Sequence, residues 1–291
     1  MALNELEKLS FWFENLLVQR NLRGMQHIKK HLLPGYLLRA ARMMNSVNGA
    51  VLIGTGFPVG NTFETDGPVG AIALYNAMER LNAEPVLVCG APLSTHLRKQ
   101  YRVHPLIVGP HKARQEEALA ALEHWKPELL ISIERPGLSG DGHYYNMRGE
   151  IISDRAACFD SFFIHADCKT IAIGDGGNEI GMGKVREAII QLDIQPANTD
   201  CDELILADVS NWGALGLVAM LECVANTPLL QWHKPYEILE FLSNHGSVDG
   251  VTGKNELTED SLPVEEGVSL LNQLMERTTR YRQSLEDTLE N

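Results

Sequence analysis

Six short apolar runs, separated by stretches with helical periodicity, constrain the fold of this chain more than any other feature. The runs cover 50–53, 85–89, 106–108, 129–133, 170–173 and 204–206, and none alternates between apolar and polar residues. Strands buried on both faces have this character. Helical spacing occupies 69–81, 115–125, 183–191 and 212–225. This order of strands and helices predicts an α/β fold: a mostly parallel, doubly wound sheet with helices on both faces.

Helical segments flank the predicted sheet at both ends. Apolar residues recur at helical spacing from Leu6 to Met44, and 263–289 is amphipathic. Because no repeat, low-complexity tract or linker interrupts the chain, we expect a single domain over 1–291. Its predicted parts are an N-terminal helical segment (1–48), an α/β core (49–255) and a C-terminal helix (256–291).

Charge narrows the range of partners. The 291 residues include 38 Asp and Glu against 25 Lys and Arg, so the net charge is -13. Such a field repels nucleic-acid phosphates and anionic lipid. We therefore predict a small-molecule substrate, with neither nucleic acid nor a membrane as partner, and a homo-oligomer stays open. The five cysteines lack CxxC spacing and the N-terminus has no targeting pattern, which favours the cytoplasm.

Glycine-rich loops follow three of the predicted strands, where doubly wound sheets bind their ligands. The first loop, at 54–70, reads GTGFPVGNTFETDGPVG. It is neither a dinucleotide fingerprint nor a phosphate loop, so no nucleotide cofactor is expected. Glu64 and Asp66 supply carboxylates, and a capped strand-to-helix turn is the alternative interpretation. The positions assigned here to substrate contact are Gly54, Thr55, Gly56 and Thr65.

The second loop follows the apolar run 129–133. It begins with ERPG at 134–137 and continues as DGHYYNMRG at 141–149. Tyrosine, asparagine and arginine side chains can bind carboxylates. The alternative is a surface ion pair with a glycine-rich hairpin. The predicted contacts here are Arg135, Tyr145, Asn146 and Arg148.

The third loop, GDGGNEIGMG at 174–183, gives the strongest indication of a functional site. Asp175, Asn178 and Glu179, together with Glu64, offer the oxygen ligands that a hard divalent ion takes. The N–H groups of glycines such as Gly176 and Gly177 favour an anion. The alternative is a structural turn capped by Asp175. No H-E-x-x-H motif and no G-x-S-x-G motif occur, which argues against histidine-bound zinc and a serine hydrolase.

These three loops, together with ADVSNWGALGL at 207–217 and VDGVT at 248–252, closely resemble the D-glutamate cyclase family. The resemblance runs from about Val51 to Thr252 and looks like that of a free-standing, bacterial-type member. It implies an α/β fold and the conversion of D-glutamate to 5-oxo-D-proline with loss of water, a hydro-lyase reaction. Met147 departs from the small residue that is more frequent in the family.

A mechanism follows from this chemistry, because the α-amine must attack a γ-carboxylate whose negative charge makes it a poor electrophile. A divalent ion, Mn²⁺ or Mg²⁺, would neutralise that charge with help from Arg135 or Arg148. Glu134 is the favoured base and Asp66 a second catalytic carboxylate. The helix N-terminus after Asp66 or Gly183 is expected to hold the α-carboxylate. Two alternatives are a metal-dependent phosphohydrolase acting on a small phosphorylated metabolite and a non-catalytic metabolite sensor.

Overall fold

A parallel sheet forms the centre of the protein in the computed structural model, which describes residues 4–110 and 113–289. Its six strands are β1 (Ala50–Gly54), β2 (Glu84–Gly90), β3 (Val103–Leu106), β4 (Leu129–Ile133), β5 (Lys169–Gly174) and β6 (Glu203–Leu206). They lie in the order β3-β2-β1-β4-β5-β6, and every neighbouring pair is parallel. Two-residue strands form small antiparallel hairpins outside this sheet, Pro58–Val59 with Thr62–Phe63 and Thr258–Glu259 with Leu262–Pro263.

Helices surround this sheet. Within the described residues they are α1 (Glu5–Leu16), α2 (Met25–Ile28), α3 (Tyr36–Asn45), α4 (Pro68–Arg80), α5 (Leu93–Leu97), α6 (Arg114–Trp125), α7 (Asp160–His165), α8 (Arg186–Ile189), α9 (Ser210–Ala225), α10 (Pro235–Asn244) and α11 (Val264–Leu289). Short 3₁₀ turns occupy Lys29–His31, Met182–Val185 and Leu230–Trp232. Helices α3, α4 and α11 pack around α9, whereas α6 packs on α7.

The side chains of β1 show how the helices are divided between the two faces. Val51 and Ile53 belong to the larger core, which contains the buried residues of α4 and α9. Leu52 points the other way, into a smaller core with Phe159 and Phe162. Successive strand residues face opposite sides of a sheet, so both faces of β1 are buried. The predicted doubly wound α/β fold is confirmed.

The chain reverses its direction across the sheet between β1 and β4. These neighbours pair through Val51 with Leu129 and Ile53 with Ile131. After β1 the chain builds β2 and β3 on one side, and after β4 it builds β5 and β6 on the other. A crevice opens outside the carboxyl ends of two strands at such a reversal. The loops at 54–70 and 134–149 both start there.

Two element boundaries differ from those predicted. The strand expected at 106–108 runs over Val103–Leu106, because pairing with β2 sets its register and Ile107 and Val108 are exposed at the sheet edge. The C-terminal helix begins at Val264, and the residues from 258 to 263 form a hairpin instead.

The expected helix at 183–191 is also interrupted. It is divided into the 3₁₀ turn Met182–Val185 and the four-residue α8. Gly183 packs so closely on the backbone of Asn198 that an added Cβ would lie 2.2 Å from its carbonyl oxygen. This contact holds the turn against the segment that leads to β6.

Within the described residues, no helix is long and apolar enough to cross a membrane. All five cysteines are free thiols, and four of them are buried.

Gly70 tests the packing of α4 on α9. Alanine normally stabilises a helix relative to glycine, by about 1 kcal/mol. Here an added Cβ would lie 2.5 Å from Ile133 Cδ1 and 2.7 Å from Ala214 Cβ. We expect Gly70→Ala to lower the free energy of unfolding by about 1–3 kcal/mol, measured by urea titration. Ser269→Ala, on the exposed face of α11, is the control and should change it by less than about 0.5 kcal/mol. A stabilised Gly70→Ala protein would contradict this packing.

Candidate active site

A cavity of about 500 Å³ lies at the carboxyl ends of β1, β4 and β5. Its walls come from the three glycine-rich loops, from the loop around Gly250 and from two more distant positions, residues 23 and 260. Charged and amide side chains dominate the lining. They are Arg23, Glu64, Glu134, Asn146, Arg148, Glu150, Arg155, Asp175, Asn178 and Asp260.

Glu134 stands directly after β4 with a left-handed backbone, φ 44. Such a conformation is costly for a residue other than glycine and is often found at functional sites. It fits because Gly67 has no side chain: a Cβ there would lie 2.7 Å from Glu134 Cβ. Ser210 Oγ donates a hydrogen bond of 2.5 Å to Glu134 Oε2. Burial, and then the negative charge of Glu179, raises the pKa of Glu134 well above its ordinary value.

Asp175 follows β5 and forms an ion pair with Arg23, whose Nη2 lies 2.7 Å from Asp175 Oδ2. Arg23 also pairs with Asp260. Ser210 N, the first amide of α9, donates a 3.0 Å hydrogen bond to Asp175 Oδ2. Burial raises the pKa of Asp175 well above its ordinary value, although the charge of Arg23 opposes this shift.

Asp66 and Asn211 cap each other's helices beneath the cavity. The Asp66 carboxylate accepts hydrogen bonds from Ser210 N and Asn211 N at the start of α9, at 2.9 and 2.7 Å. Asn211 Oδ1 in turn accepts from Gly67 N and Gly70 N at the start of α4, at 2.8 and 2.7 Å. Each side chain thereby satisfies amides that a helix start leaves unbonded. Burial, followed by the charge of Asp260, raises the pKa of Asp66 to about 7.

Glu179 closes the third loop on itself. Its carboxylate accepts hydrogen bonds from the amides of Asp175, Gly176 and Gly177, at 3.1, 2.7 and 2.6 Å. Gly177 has φ 123, a conformation that glycine adopts readily. The acidic side chain thus fills the anion-binding concavity that the glycines create.

Glu64 also lines the cavity and is buried. It lies so close to Gly250 that a Cβ there would be 2.1 Å from Glu64 Oε2. Burial, and then the charges of Glu134 and Asp260, raises the pKa of Glu64 well above its ordinary value. Two carboxyl groups with raised pKa values, Glu64 and Glu134, therefore line one cavity.

Two groups of carboxylates are close enough to share a cation. Their oxygen atoms lie within 4.8 Å of one another in Asp66, Asp175 and Asp260, and again in Glu134, Asp175 and Glu179. Oxygen ligands of this kind suit Mg²⁺, Mn²⁺ or Ca²⁺. Asp175 belongs to both groups.

A hairpin that we call the flap, residues 143–152, covers one side of the cavity. Tyr145 pairs with Ile151, and the tip carries Arg148, which lines the cavity. The base of the flap is anchored by the buried Tyr144, whose hydroxyl donates a 2.7 Å hydrogen bond to Asp160. Asn178 Nδ2 donates to Tyr145 O at 2.9 Å, which joins the flap to the third loop. The flap therefore holds Arg148 in the wall of the cavity that the buried carboxylates also line.

The cavity brings together a subset of the residues predicted from the sequence. Those that line it are Glu64, Glu134, Asn146, Arg148, Asp175 and Asn178. The others support the walls, and most of their polar groups have partners within the protein, although Thr55 Oγ1 and Arg135 Nε have none. Asp66 and Glu179 are bonded to backbone amides as described, and Gly176 and Gly177 donate their N–H groups to Glu179 rather than to an open anion site. Asn211 fills the start of α4, where a substrate carboxylate was expected.

Arg135 and four predicted contacts of the first loop also lie behind the cavity wall, namely Gly54, Thr55, Gly56 and Thr65. The buried Arg135 Nη1 donates to the carbonyls of Thr55 and Gly56, at 3.0 and 2.8 Å, and Nη2 bonds to Ala157 O. Its guanidinium stabilises the first loop and does not face the cavity. Thr65 Oγ1 donates to Thr258 O at 2.7 Å. Gly54 packs against Phe159, Thr55 is buried, and the Tyr145 hydroxyl is bonded to Asp141 at 2.5 Å.

Sequence reasoning missed four charged residues of the lining: Arg23, Glu150, Arg155 and Asp260. Arg23 lies in a segment that the pattern marks only as helical, and Asp260 lies in the tight hairpin turn before α11. Arg155 donates to Gly60 O at 3.1 Å, which holds it beside the first loop. The one available signal for Arg155 was its position six residues after the motif YYNMRG at 144–149.

The protein is thus a doubly wound α/β protein with an acidic cavity at the point where the chain reverses its direction across the sheet. Comparison with known proteins then gives the family: the sequences described as "D-glutamate cyclase-like, C-terminal" match residues 13–275. This chain belongs to that family. It is also 31% identical to the human protein "D-glutamate cyclase, mitochondrial" over 226 residues, which is 68% of this chain and 36% of the human one. The chain thus matches about a third of that protein's length.

Solved structures give only distant similarity. An exopolyphosphatase-related protein from Bacteroides fragilis superposes with a TM-score of 0.41 and 9% identity, over 86% of this chain and 60% of that one. RecJ in complex with Mn²⁺, from Thermus thermophilus, gives a TM-score of 0.36 and 13% identity, over 98% of this chain and 43% of that one.

Glu259 provides a test of the buried charges that does not depend on activity. Its carboxylate accepts a 2.7 Å hydrogen bond from Asn211 Nδ2, and burial, followed by the charge of Asp66, raises its pKa from 4.5 to about 7. A carboxyl whose pKa is raised by folding contributes stability at low pH that is lost as the pH rises through the folded-state pKa. The loss reaches about 1.4 kcal/mol per pH unit.

We therefore expect the unfolding free energy of Glu259→Gln to fall less steeply between pH 5 and 7 than that of the wild type. Urea unfolding at a series of pH values measures the difference. Glu240→Gln, which removes an exposed carboxylate, is the matched control and should follow the wild-type curve. Parallel curves for Glu259→Gln and wild type would show that folding does not raise this pKa.

Proposed function

We propose that this protein cyclises D-glutamate to 5-oxo-D-proline with release of water. The observation that carries the proposal is the combination, in one cavity of about 500 Å³, of buried carboxyl groups with arginines on the walls. A small amino dicarboxylate needs both kinds of group, cations for its carboxylates and proton acceptors for its ammonium. Membership of the D-glutamate cyclase-like family supports the same substrate.

The reaction fixes what the site must do with protons. The α-nitrogen forms a bond to the γ-carbon, and one γ-oxygen leaves as water. The ammonium gives up two protons to become the amide N–H, and the departing oxygen takes up two. The protons therefore balance, and the site has to move them from nitrogen to oxygen.

We assign the proton acceptor to Glu134. It lines the cavity, its strained backbone fixes its direction, and the hydrogen bond from Ser210 leaves the carboxylate oriented. A raised pKa makes it a stronger base than an exposed glutamate. Glu64, whose pKa burial also raises, is in our proposal the protonated carboxyl that donates to the leaving oxygen. Asp66 serves this pair by fixing the start of α9.

Arginines would hold the substrate carboxylates. Arg148 on the flap and Arg155 beside the first loop line the cavity, and Asn146 and Asn178 add amide groups between them. An arginine can bind a carboxylate through two parallel N–H groups, which fixes direction as well as position. Orientation matters because a ring closure depends on holding the nitrogen and the γ-carbon in line.

A divalent ion, Mn²⁺ or Mg²⁺, is part of the proposal. Asp175 and Glu179 would hold it, with Glu64 and Asn178 on the adjoining walls. When bound, such an ion supplies Lewis acidity that neutralises the γ-carboxylate. A cytoplasmic location and assembly into a homo-oligomer remain predictions from the sequence.

Incubation with D-glutamate tests the proposal. We expect purified protein with Mn²⁺ to form 5-oxo-D-proline, identified by chiral chromatography and mass spectrometry, and we expect a chelator to slow the reaction. L-glutamate should react poorly, because inversion at the α-carbon moves the amine away from the bond being formed. Glu134→Gln should lose activity while retaining the circular dichroism spectrum of the wild type.

Equal turnover with and without chelator would remove the metal from the mechanism. If neither enantiomer is cyclised under any metal, the proposed function fails. Hydrolysis of a phosphate ester under those conditions would then favour a phosphohydrolase, and stabilisation by D-glutamate without product would favour a sensor.

Arg148→Lys tests the carboxylate clamp. The ammonium keeps the charge but lacks the planar pair of donors. We expect the KM for D-glutamate to rise about tenfold or more with a smaller change in kcat, measured by initial rates. Arg186→Lys is the matched control, since Arg186 lies outside the cavity and is bonded to Asn198 at 2.7 Å. An unchanged KM for Arg148→Lys would rule out the clamp.

A further inference from the structure

Arg23 lies between two of the three carboxylates in the group formed by Asp66, Asp175 and Asp260. Its Nη2 is 2.7 Å from Asp175 Oδ2 and also pairs with Asp260. Two carbonyls fix the same guanidinium: Nε donates to Asp175 O and Nη2 to Asp208 O, both at 3.1 Å. The cation is thus held at the place where the carboxylate oxygens of this group converge.

The segment that carries Arg23 is itself anchored. The Asp208 carboxylate accepts hydrogen bonds from Arg20 N and Leu22 N, at 2.8 and 3.3 Å. Burial alone would lower the pKa of Arg23, but the charges of Asp175 and Asp260 outweigh it and raise that pKa well above its ordinary value. The guanidinium is therefore a permanent, positioned charge.

The second carboxylate group differs in this respect. Among the described residues, neither Glu134 nor Glu179 forms an ion pair with a lysine or arginine, although both groups share Asp175. Buried carboxylates need a compensating cation. Arg23 pairs with two of the three carboxylates of the first group, but with only Asp175 in the second.

We propose that Arg23 is a built-in cation that takes the place of a metal ion between Asp175 and Asp260. A divalent ion in the first group would meet the guanidinium at contact distance, where like charges repel. The inference concerns where ions bind, and it holds whether or not D-glutamate is the substrate.

Counting bound Mn²⁺ tests this. Equilibrium dialysis with electron paramagnetic resonance detection gives the number of ions per chain for the purified proteins. We expect Arg23→Gln to bind one more Mn²⁺ than the wild type, because removing the guanidinium frees the first group. The double variant Arg23→Gln/Asp260→Asn should lose that extra ion. Equal counts for wild type and folded Arg23→Gln would overturn the proposal, as would an extra ion that persists in the double variant.

Two controls separate this effect from the loss of any arginine. Arg23→Lys keeps a cation in place and should bind as many ions as the wild type. Arg39→Gln removes an arginine from an ion pair with Glu203, 2.6 Å away at the opposite end of β6, and should also match the wild type.

Arg23→Gln leaves buried carboxylates unpaired and can be unstable without an ion. In that event circular dichroism during a Mn²⁺ titration gives the answer. Recovery of the folded spectrum on addition of Mn²⁺ supports the proposal. Failure of Mn²⁺ to restore folding, when Arg23→Lys is folded, contradicts it.

Discussion

Burial of like charge is the constraint on which the structure of this site depends. Glu64, Glu134 and Asp175 all lie in the cavity wall with raised pKa values, because removal from water penalises their charged forms. Two positive features offset that penalty. Arg23 reaches in from the N-terminal segment, and the first amide of α9 donates to the carboxylates above it.

Reciprocal capping of two helices joins the fold to the site. Asp66, in the loop after β1, caps α9, and Asn211 at the start of α9 caps α4. Each helix start is therefore completed by a side chain from the other. Because α4 and α9 both pack on the larger core, the positions of the loop carboxylates are tied to the packing of the sheet.

Much of the fold can be predicted from the pattern of apolar residues in the sequence. β4 occupies the predicted run 129–133, because a strand buried on both faces is apolar throughout. Loops at the ends of such strands must meet at one edge of the sheet, so Glu134, Asp175 and Asn178 were predictable as neighbours. What the pattern could not distinguish was a side chain facing the cavity from one facing inward. Arg135 adjoins Glu134, and its guanidinium binds backbone carbonyls instead.

The sequence around Arg23 and Asp260 contains nothing that predicts their place in the cavity. Arg23 has no motif around it, and its role arises only when Asp208 fixes the turn from 20 to 23. Asp260 and Ser261 both have positive φ, 51 and 66, in a two-residue hairpin turn. Asn-Gly or Asp-Gly usually marks such a turn, and Asp-Ser does not. The hairpin strands are two residues long, too short for any period to appear.

The central claim is that this cavity holds the ring-closed product of D-glutamate between the buried carboxyl groups and the arginines. A crystal structure of the protein with 5-oxo-D-proline tests it most directly. We predict density for the five-membered ring in the cavity, with its carboxylate on Arg148 or Arg155 and its lactam group facing Glu134. Product bound at another surface, or a cavity that stays free of it at saturating concentration, would contradict the claim.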